Sequence, residues 1–228
     1  MDSPRKVKLR NTTKIIVTSG PTREFIDSIR FLSNPSTGRM GYHIARAAIN
    51  IGYEVSYIHG PVPARYKDLH DAKNTPVIST IDMLNAVTDE LQDNSILIMT
   101  AAPADYRPEV KFEHKLKKKD NPEIRLIQNP DILLSVQEHI KDAGLKNITL
   151  IGFAAEMQNA YEYAFNKLIK KKLDLIFLND LSKEKSGFGV DTNELTVIRK
   201  DKTHTKWPLE TKEKLGYQIV EEIERWLQ

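Results

Sequence analysis

The chain of 228 residues contains no cysteine. That excludes disulfides, thiolate metal sites and a cysteine nucleophile. No apolar run approaches the roughly 20 residues that a membrane-spanning helix needs. The opening residues, MDSPRKVKLRNTTK, are polar and basic with no apolar stretch, so they do not read as a secretory signal. Charge of one sign is not in excess: 34 Lys and Arg face 31 Asp and Glu, for a net charge of +3. Such a balance does not describe a general nucleic-acid binder, and any basic site must be a local cluster. The six histidines, His43, His59, His70, His114, His139 and His204, are scattered without metal-ligand spacing, so no structural metal is assigned. The serine nucleophile elbow G-x-S-x-G does not occur. Internal repeats and low-complexity linkers are also missing. These absences lead to the expectation of a soluble cytoplasmic protein.

What is present is a hydrophobic content of 40%, enough for a substantial core. Residues 1–13 read as a flexible tail and residues 14–228 as one domain. Strands are expected at residues 14–18, 54–58, 95–100, 147–152 and 174–178, and helices at 38–51, 81–92, 130–141, 160–171 and 211–227. Runs such as ILIM and LDLIFL are apolar without alternation, as in strands buried on both faces. Strands alternating with helices then predict an α/β class: three layers around a mainly parallel, Rossmann-like sheet. Residues 193–209 read as a small antiparallel β-hairpin extension, and PEIRLI, residues 122–127, as another short strand.

In such sheets ligands bind outside the carboxyl ends of the strands. This brings together three loops: TSGPTREFID from Thr18, TAAPADYRPEVKFEHKLKKKD from Thr100, and the residues following Gly152. The first is neither G-x-G-x-x-G nor a P-loop, so ordinary dinucleotide or Walker-type binding is not supported. SNPSTGRMG, from Ser33 to Gly41, precedes a helix that Ser36 or Thr37 can cap, with free N–H groups to receive an anion. Its plain reading is an ordinary N-cap with glycines needed for packing. QNPDIL, from Gln128 to Leu133, places Asn129 as N-cap, Pro130 in the first turn and Asp131 at the positive end of the dipole. Lys167 and Lys171 lie four apart on one helical face. The same helix holds Tyr163 and Lys167 at the spacing of short-chain dehydrogenases, but the glycine-rich turn and the serine those enzymes need are missing. The cluster Lys115, Lys117, Lys118 and Lys119 contains no aromatic residue, which disfavours an RNA surface. It remains either a solvated run or a loop that closes over a small anion.

Taken together, TSGPTREFIDSIRFLSNPSTGRMGYHIA, GYEVSYIHGPV, MTAAPADYRP, KLKKK, QNPDIL, GFAAE and NKLIKKKLDLIFLND resemble phosphopantothenoylcysteine synthetase, the phosphopantothenate–cysteine ligase family. The match runs in order from Lys14 to the C-terminal helix, and its specificity lies in that order and spacing. One departure is visible: Gly20-Pro21-Thr22 stands where the family commonly reads glycine-glycine-threonine, and Pro21 removes a backbone donor.

The resemblance implies a stand-alone ligase without the decarboxylase domain to which many bacterial members are fused. It implies that the carboxylate of 4′-phosphopantothenate attacks the α-phosphate of CTP (with ATP as the other nucleotide to consider). Pyrophosphate leaves, and L-cysteine then takes the acyl group and releases CMP. It implies Mg²⁺, a homodimer, and a nucleotide site of Met99, Thr100, Ala101, Asp105, Lys115, Pro130, Asp131, Ile132, Leu133, Phe153, Lys167 and Lys171. Asn34 and Lys115 are the implied catalytic residues, with Lys118 a weaker companion. Asn34, Ser36, Thr37 and Gly38 are the implied substrate contacts. Asp105 serves either the metal or the ribose. The competing class is an NAD(P)-dependent oxidoreductase on a related fold.

Overall fold

The computed structural model describes residues 9–117, 123–182 and 189–227. β1 (Lys14–Ser19) leads through a hairpin, β2 (Arg23–Phe25) and β3 (Phe31–Ser33), into α1 (Arg39–Ile51). β4 (Glu54–His59) and β5 (Lys73–Pro76) follow, then α2 (Thr80–Glu90) and β6 (Ser95–Met99). A second hairpin, β7 (Tyr106–Pro108) with β8 (Leu126–Gln128), precedes α3 (Ile132–Ala143). β9 (Thr149–Glu156), α4 (Ala160–Lys170) and β10 (Leu175–Asp180) come next. β11 (Thr192–Asn193), β12 (Leu195–Arg199), β13 (His204–Lys206), β14 (Glu210–Thr211) and α5 (Lys212–Trp226) end the described chain.

The main sheet has eight strands in the order β13-β12-β10-β9-β6-β1-β4-β5. Its six strands from β10 to β5 are parallel. β12 and β13 pair antiparallel, so the expected hairpin extends the same sheet at one edge. The chain builds outward from β1 to β5, then returns to β6 on the other side of β1. The crevice beside the carboxyl ends of β1 and β6 is therefore the topological switch point.

Alternating strand side chains feed two cores. Ile15, Val17, Tyr57, Ile98 and Phe177 pack under α1 and α5 with Ile44, Ala48, Leu215 and Ile219. Ile16, Ile58, Leu97, Met99 and Ile176 pack under α2, α3 and α4 with Met83, Val87, Val136 and Leu168. Burial on both faces explains the unbroken apolar runs of the sequence. Each such side chain taken out of water contributes roughly 1.5–3 kcal/mol.

Residues 9–13 differ from the expected tail. Residues 9–12 are helical, and Arg10 Nε lies 2.7 Å from a Glu224 carboxylate oxygen on α5. α2 begins at Thr80, one residue before the expected start, because Ser79 and Asp82 form a reciprocal capping box.

Candidate active site

The turn after β1 and the turn after β6 are tied together. Ala102 N donates to Gly20 O at 2.9 Å, and Pro21 forms a parallel bridge with Ala102. Thr100 Oγ1 donates to Thr18 O, and Ala101 N donates to Thr18 Oγ1. α1 then starts against this platform. Its cap is Gly38, at φ 73°, a left-handed backbone that glycine adopts without strain. Neither Ser36 nor Thr37 caps the helix, contrary to the sequence reading. Ser36 Oγ instead accepts from Gly38 N, and Ser19 Oγ donates to Gly38 O at 2.7 Å. The helix start has no side-chain cap. Gly41 permits the close approach: a Cβ there would lie 2.5 Å from Thr100 Oγ1 and 2.7 Å from Ser19 Cβ.

A cavity of about 400 Å³ opens here. Among the expected residues its wall contains Asn34, Ser36, Thr37, Gly38, Met99, Thr100, Ala101, Asp105, Pro130, Asp131, Ile132, Leu133, Phe153, Lys167 and Lys171. Asn34 Nδ2 donates to Ala102 O and Pro103 O at 3.2 and 3.0 Å. This fixes the amide and leaves Oδ1 as an acceptor for a ligand.

α3 enters from the other layer. Its cap is Asp131, whose side chain accepts from Leu134 N, so the helix starts two residues later than an Asn129 cap requires. Asn129 is buried instead as a brace. Its amide donates to Ala104 O at 2.8 Å and Thr80 Oγ1 at 3.3 Å, and its Oδ1 accepts from Arg107. Thr80 in turn donates twice to the buried Glu24 carboxylate. This network joins the β2–β3 hairpin, α2 and the entry to α3.

At the α4 end, Lys171 Nζ lies 2.7 Å from Asp131 Oδ2. Burial pushes the Asp131 carboxyl up, but the Lys171 hydrogen bond and charge outweigh it and hold the group below the usual range. Lys167 Nζ donates to Phe153 O at 2.7 Å. Burial, then the nearby Lys171 charge, pushes the Lys167 ammonium down. Phe153 stacks on Phe177 at 5.2 Å between centroids while its edge of the strand lines the cavity. Tyr163 is 54% exposed and outside the cavity wall, so the dehydrogenase-like spacing with Lys167 does not build a site.

Lys115 is exposed and outside the cavity wall, as is Lys117. Their neighbour Leu116 is anchored, with its N–H donating to Asp27 Oδ2 at 3.1 Å and its carbonyl accepting from Arg30. Arg30 holds the Asp27 carboxyl well below the usual range through paired hydrogen bonds. Lys118 and Lys119 lie outside the described residues. Sequence reasoning missed this Asp27–Arg30 anchor, and it missed Arg39, Asn179, Asn193 and Lys212 in the cavity wall. No motif spacing links those four positions; the sheet topology brings them together.

Among the described residues no group of three or more His, Asp or Glu is placed to hold a metal ion. Isolated carboxylates such as Asp105 suit Mg²⁺ carried in by phosphates, not a protein cage. No described helix is long and apolar enough to cross a membrane.

Comparison with known proteins identifies the family. The profile of the DNA/pantothenate metabolism flavoprotein C-terminal domain matches residues 10–227. The coenzyme A biosynthesis bifunctional protein CoaBC of Bacillus subtilis (strain 168) is 42% identical over 211 residues, covering 92% of this chain and 50% of that protein. The Escherichia coli (strain K12) protein of the same name is 40% identical over 215 residues, covering 92% and 51%. The chain thus spans about half the length of these relatives. The crystal structure of the C-terminal domain of a CoaBC protein superposes with a TM-score of 0.76 at 37% identity, covering 95% of this chain and 96% of that one. A Cab2 mutant in complex with phosphopantothenate-cysteine shares the fold at a TM-score of 0.69 and 13% identity, covering 98% and 90%. The chain belongs to the DNA/pantothenate metabolism flavoprotein C-terminal domain family.

Proposed function

We propose that this domain is a phosphopantothenate–cysteine ligase of coenzyme A biosynthesis that uses CTP. The observation that carries the reading is one cavity joining three parts. These are the pinned Asn34 amide, the uncapped start of α1, and the α3–α4 wall of Asp131, Ile132, Leu133, Lys167 and Lys171. Family membership and the CoaBC relatives support it.

In this reading the nucleotide lies along Met99–Ala101 and the start of α3, with its base toward Phe153. The carboxylate of 4′-phosphopantothenate attacks the α-phosphorus, the bond to the bridging oxygen breaks, and pyrophosphate departs with the electron pair. Charge accumulates on phosphate oxygens throughout, so positioned cations and backbone N–H groups are the catalytic means. Mg²⁺ would neutralise phosphate charge when bound, with Asp105 as one carboxylate of the cavity wall placed to hold it. Asn34 contacts the acyl-cytidylate and offers Oδ1 to an N–H of the incoming cysteine amine. That amine attacks the acyl carbon and displaces CMP. Lys115 acts from a loop rooted at the Asp27–Arg30 anchor, closing its ammonium over the phosphates.

A homodimer fits the exposed apolar strip Ile29, Phe31, Tyr106, Val110, Phe112 and Leu126. It lies on and beside the two hairpins next to the cavity mouth, and apolar clusters of this kind mark association surfaces. Sedimentation should give twice the monomer mass.

The decisive assay mixes protein, 4′-phosphopantothenate, L-cysteine and Mg²⁺ with each nucleotide in turn. CTP should yield CMP, pyrophosphate and a new amide. No turnover with any nucleotide refutes the ligase reading, and turnover with ATP alone corrects the nucleotide. Stabilisation by NADPH but not by CTP would restore the oxidoreductase alternative.

A further inference from the structure

Behind the loop that holds Asn34 lies a buried polar chain that ends on one carboxylate. Glu24, on β2, is 4% exposed, and no cation forms an ion pair with it among the described residues. A buried charge persists only where hydrogen bonds to it offset the loss of water. Two come from Thr80, 1% exposed at the start of α2: its N–H and its hydroxyl each lie 2.8 Å from Glu24 Oε1. The hydroxyl hydrogen also has Ala104 O within 3.2 Å, but the shorter bond to a carboxylate is the stronger. That choice fixes the rest of the chain. Thr22 Oγ1, 3.0 Å away, must donate to Thr80 Oγ1, and it accepts in turn from Ala104 N at 2.9 Å. Asn129 Nδ2 supplies Ala104 O instead, at 2.8 Å. A carboxylate accepts and does not donate, so the hydroxyl hydrogens of Thr80 and Thr22 both point toward Glu24.

Ala104 is thus gripped by both its backbone groups, and Asn34 hangs from the two residues before it. Asn34 Nδ2 donates to Ala102 O and Pro103 O. Thr22 also holds the other side: its carbonyl accepts from Ser33 Oγ at 2.7 Å, next to Asn34 in the chain. We propose that Glu24 is a positioning residue for Asn34, acting through the Thr80 and Thr22 hydroxyls, and that it serves the amide-forming step. This rests on the ligase reading, in which Asn34 meets the acyl intermediate and the cysteine amine. Thr80 is part of the cavity wall and Glu24 is not, so Glu24 acts from behind the wall. Its part is to keep the Asn34 Oδ1 acceptor aimed into the cavity before cysteine arrives. Hydrogen bonds in such a chain strengthen one another, and a break at either hydroxyl loosens the whole. About 1 Å of misplacement at a reacting centre costs on the order of 10²-fold in rate.

Two readouts on the full chain test this, one with turnover and one without. Pyrophosphate release without cysteine measures the first step, and amide formation the second. Thr80→Val and Glu24→Met should slow amide formation by about 10-fold or more and pyrophosphate release by less than about threefold. Thr80→Ser, which restores the hydroxyl, and Glu24→Gln, which keeps an acceptor oxygen, should recover most of the rate. The losses in Thr80→Val and Glu24→Met should not add in the double variant, since both cut one chain. Without substrates, the Asn34 side-chain amide signals in a ¹⁵N correlation spectrum, identified by their absence in Asn34→Ala, should shift in Thr80→Val and return in Thr80→Ser. Val87→Ala, a core truncation on the same helix, should lower the melting midpoint but leave those signals and the ratio of the two rates unchanged. Should Glu24→Met not fold, the Thr80 variants decide. Unchanged Asn34 signals in Thr80→Val overturn the proposal, as does an equal slowing of both steps. Signals that shift as expected in a chain that forms no amide with any nucleotide would refute the ligase and keep the positioning. Amide formation with unmoved signals would do the reverse.

Discussion

Replacing Gly41 by alanine sets two physical effects against each other. In an ordinary helix the change gains up to about 1 kcal/mol, because alanine is the better helix former. Here the new Cβ would sit 2.5 Å from Thr100 Oγ1 and 2.7 Å from both Ser19 Cβ and Ser19 Oγ. Carbon contacts are favourable near 3.5–4.0 Å, so the first turn of α1 must lift by about 1 Å. Ser19 Oγ cannot rotate away freely, since it donates to Gly38 O and accepts from Tyr57 Oη. Overpacking of this kind costs roughly 1–3 kcal/mol, which exceeds the propensity gain. The expected net loss of about 1–2 kcal/mol lowers the melting midpoint by roughly 2–8 °C for a domain this size. The same displacement moves the α1 N–H groups relative to Thr100 and Asn34, and about 1 Å of misplacement costs on the order of 10²-fold in rate. Differential scanning calorimetry, CTP binding and turnover measure all three. A variant that melts higher than wild type and keeps full activity would refute the packing argument.

Asn34→Ala should lower kcat far more than it weakens CTP binding, by roughly 10²-fold or more, if the amide acts on the acyl intermediate and not on the nucleotide. Steady-state kinetics with calorimetry separates the two, and a loss confined to CTP affinity would move Asn34 to the nucleotide site. Lys115→Gln should slow the first, cytidylyl-transfer step, measured as pyrophosphate release, far more than Lys117→Gln; equal small effects would return both lysines to a solvated run. A third expectation concerns stability. Burial raises the Glu90 carboxyl, but hydrogen bonds from Lys14, Lys73 and Ser56 outweigh it and hold the group at about 2. A depressed carboxyl stabilises the fold above its unfolded value of 4.5, and that contribution is lost as pH falls toward 2. Glu90→Gln should therefore cost about 3 kcal/mol at pH 7 in urea unfolding and much less near pH 2. A cost that does not change with pH would show that the loss is one of packing.

The central strands were legible because β1, β6 and β10 are apolar runs buried on both faces. β2, β3 and β5 were not, since strands of three or four residues with broken burial carry too short a pattern to read. Phe25 pairs with Phe31 across a turn that Asp27 shapes by accepting from Ile29 and Arg30, and local periodicity carries no trace of it. The α1–α5 end of the cavity was illegible for a related reason. Lys212 reads as an ordinary first-turn residue of the last helix, and only the packing of α5 on α1 brings it beside Arg39.

The helix caps show where local rules yield to the site. Ser79 and Asp82 close the start of α2 with a complete capping box. Ser36, Thr37 and Asn129 have equally good capping chemistry, yet none caps its helix. Asn129 is taken by Ala104, Thr80 and Arg107, which fixes the wall between the two hairpins. Ser36 bonds to Gly38 N, so the left-handed Gly38 becomes the cap and the donors of α1 stay open. A side chain in that place would satisfy the very N–H groups that a phosphate needs. The same logic applies at the other end of the cavity, where Asp131 both caps α3 and holds Lys171. That carboxylate closes the α3 terminus to a second anion. The two helix starts that face one cavity are thus not equivalent, and the open one is the one flanked by Arg39 and Lys212.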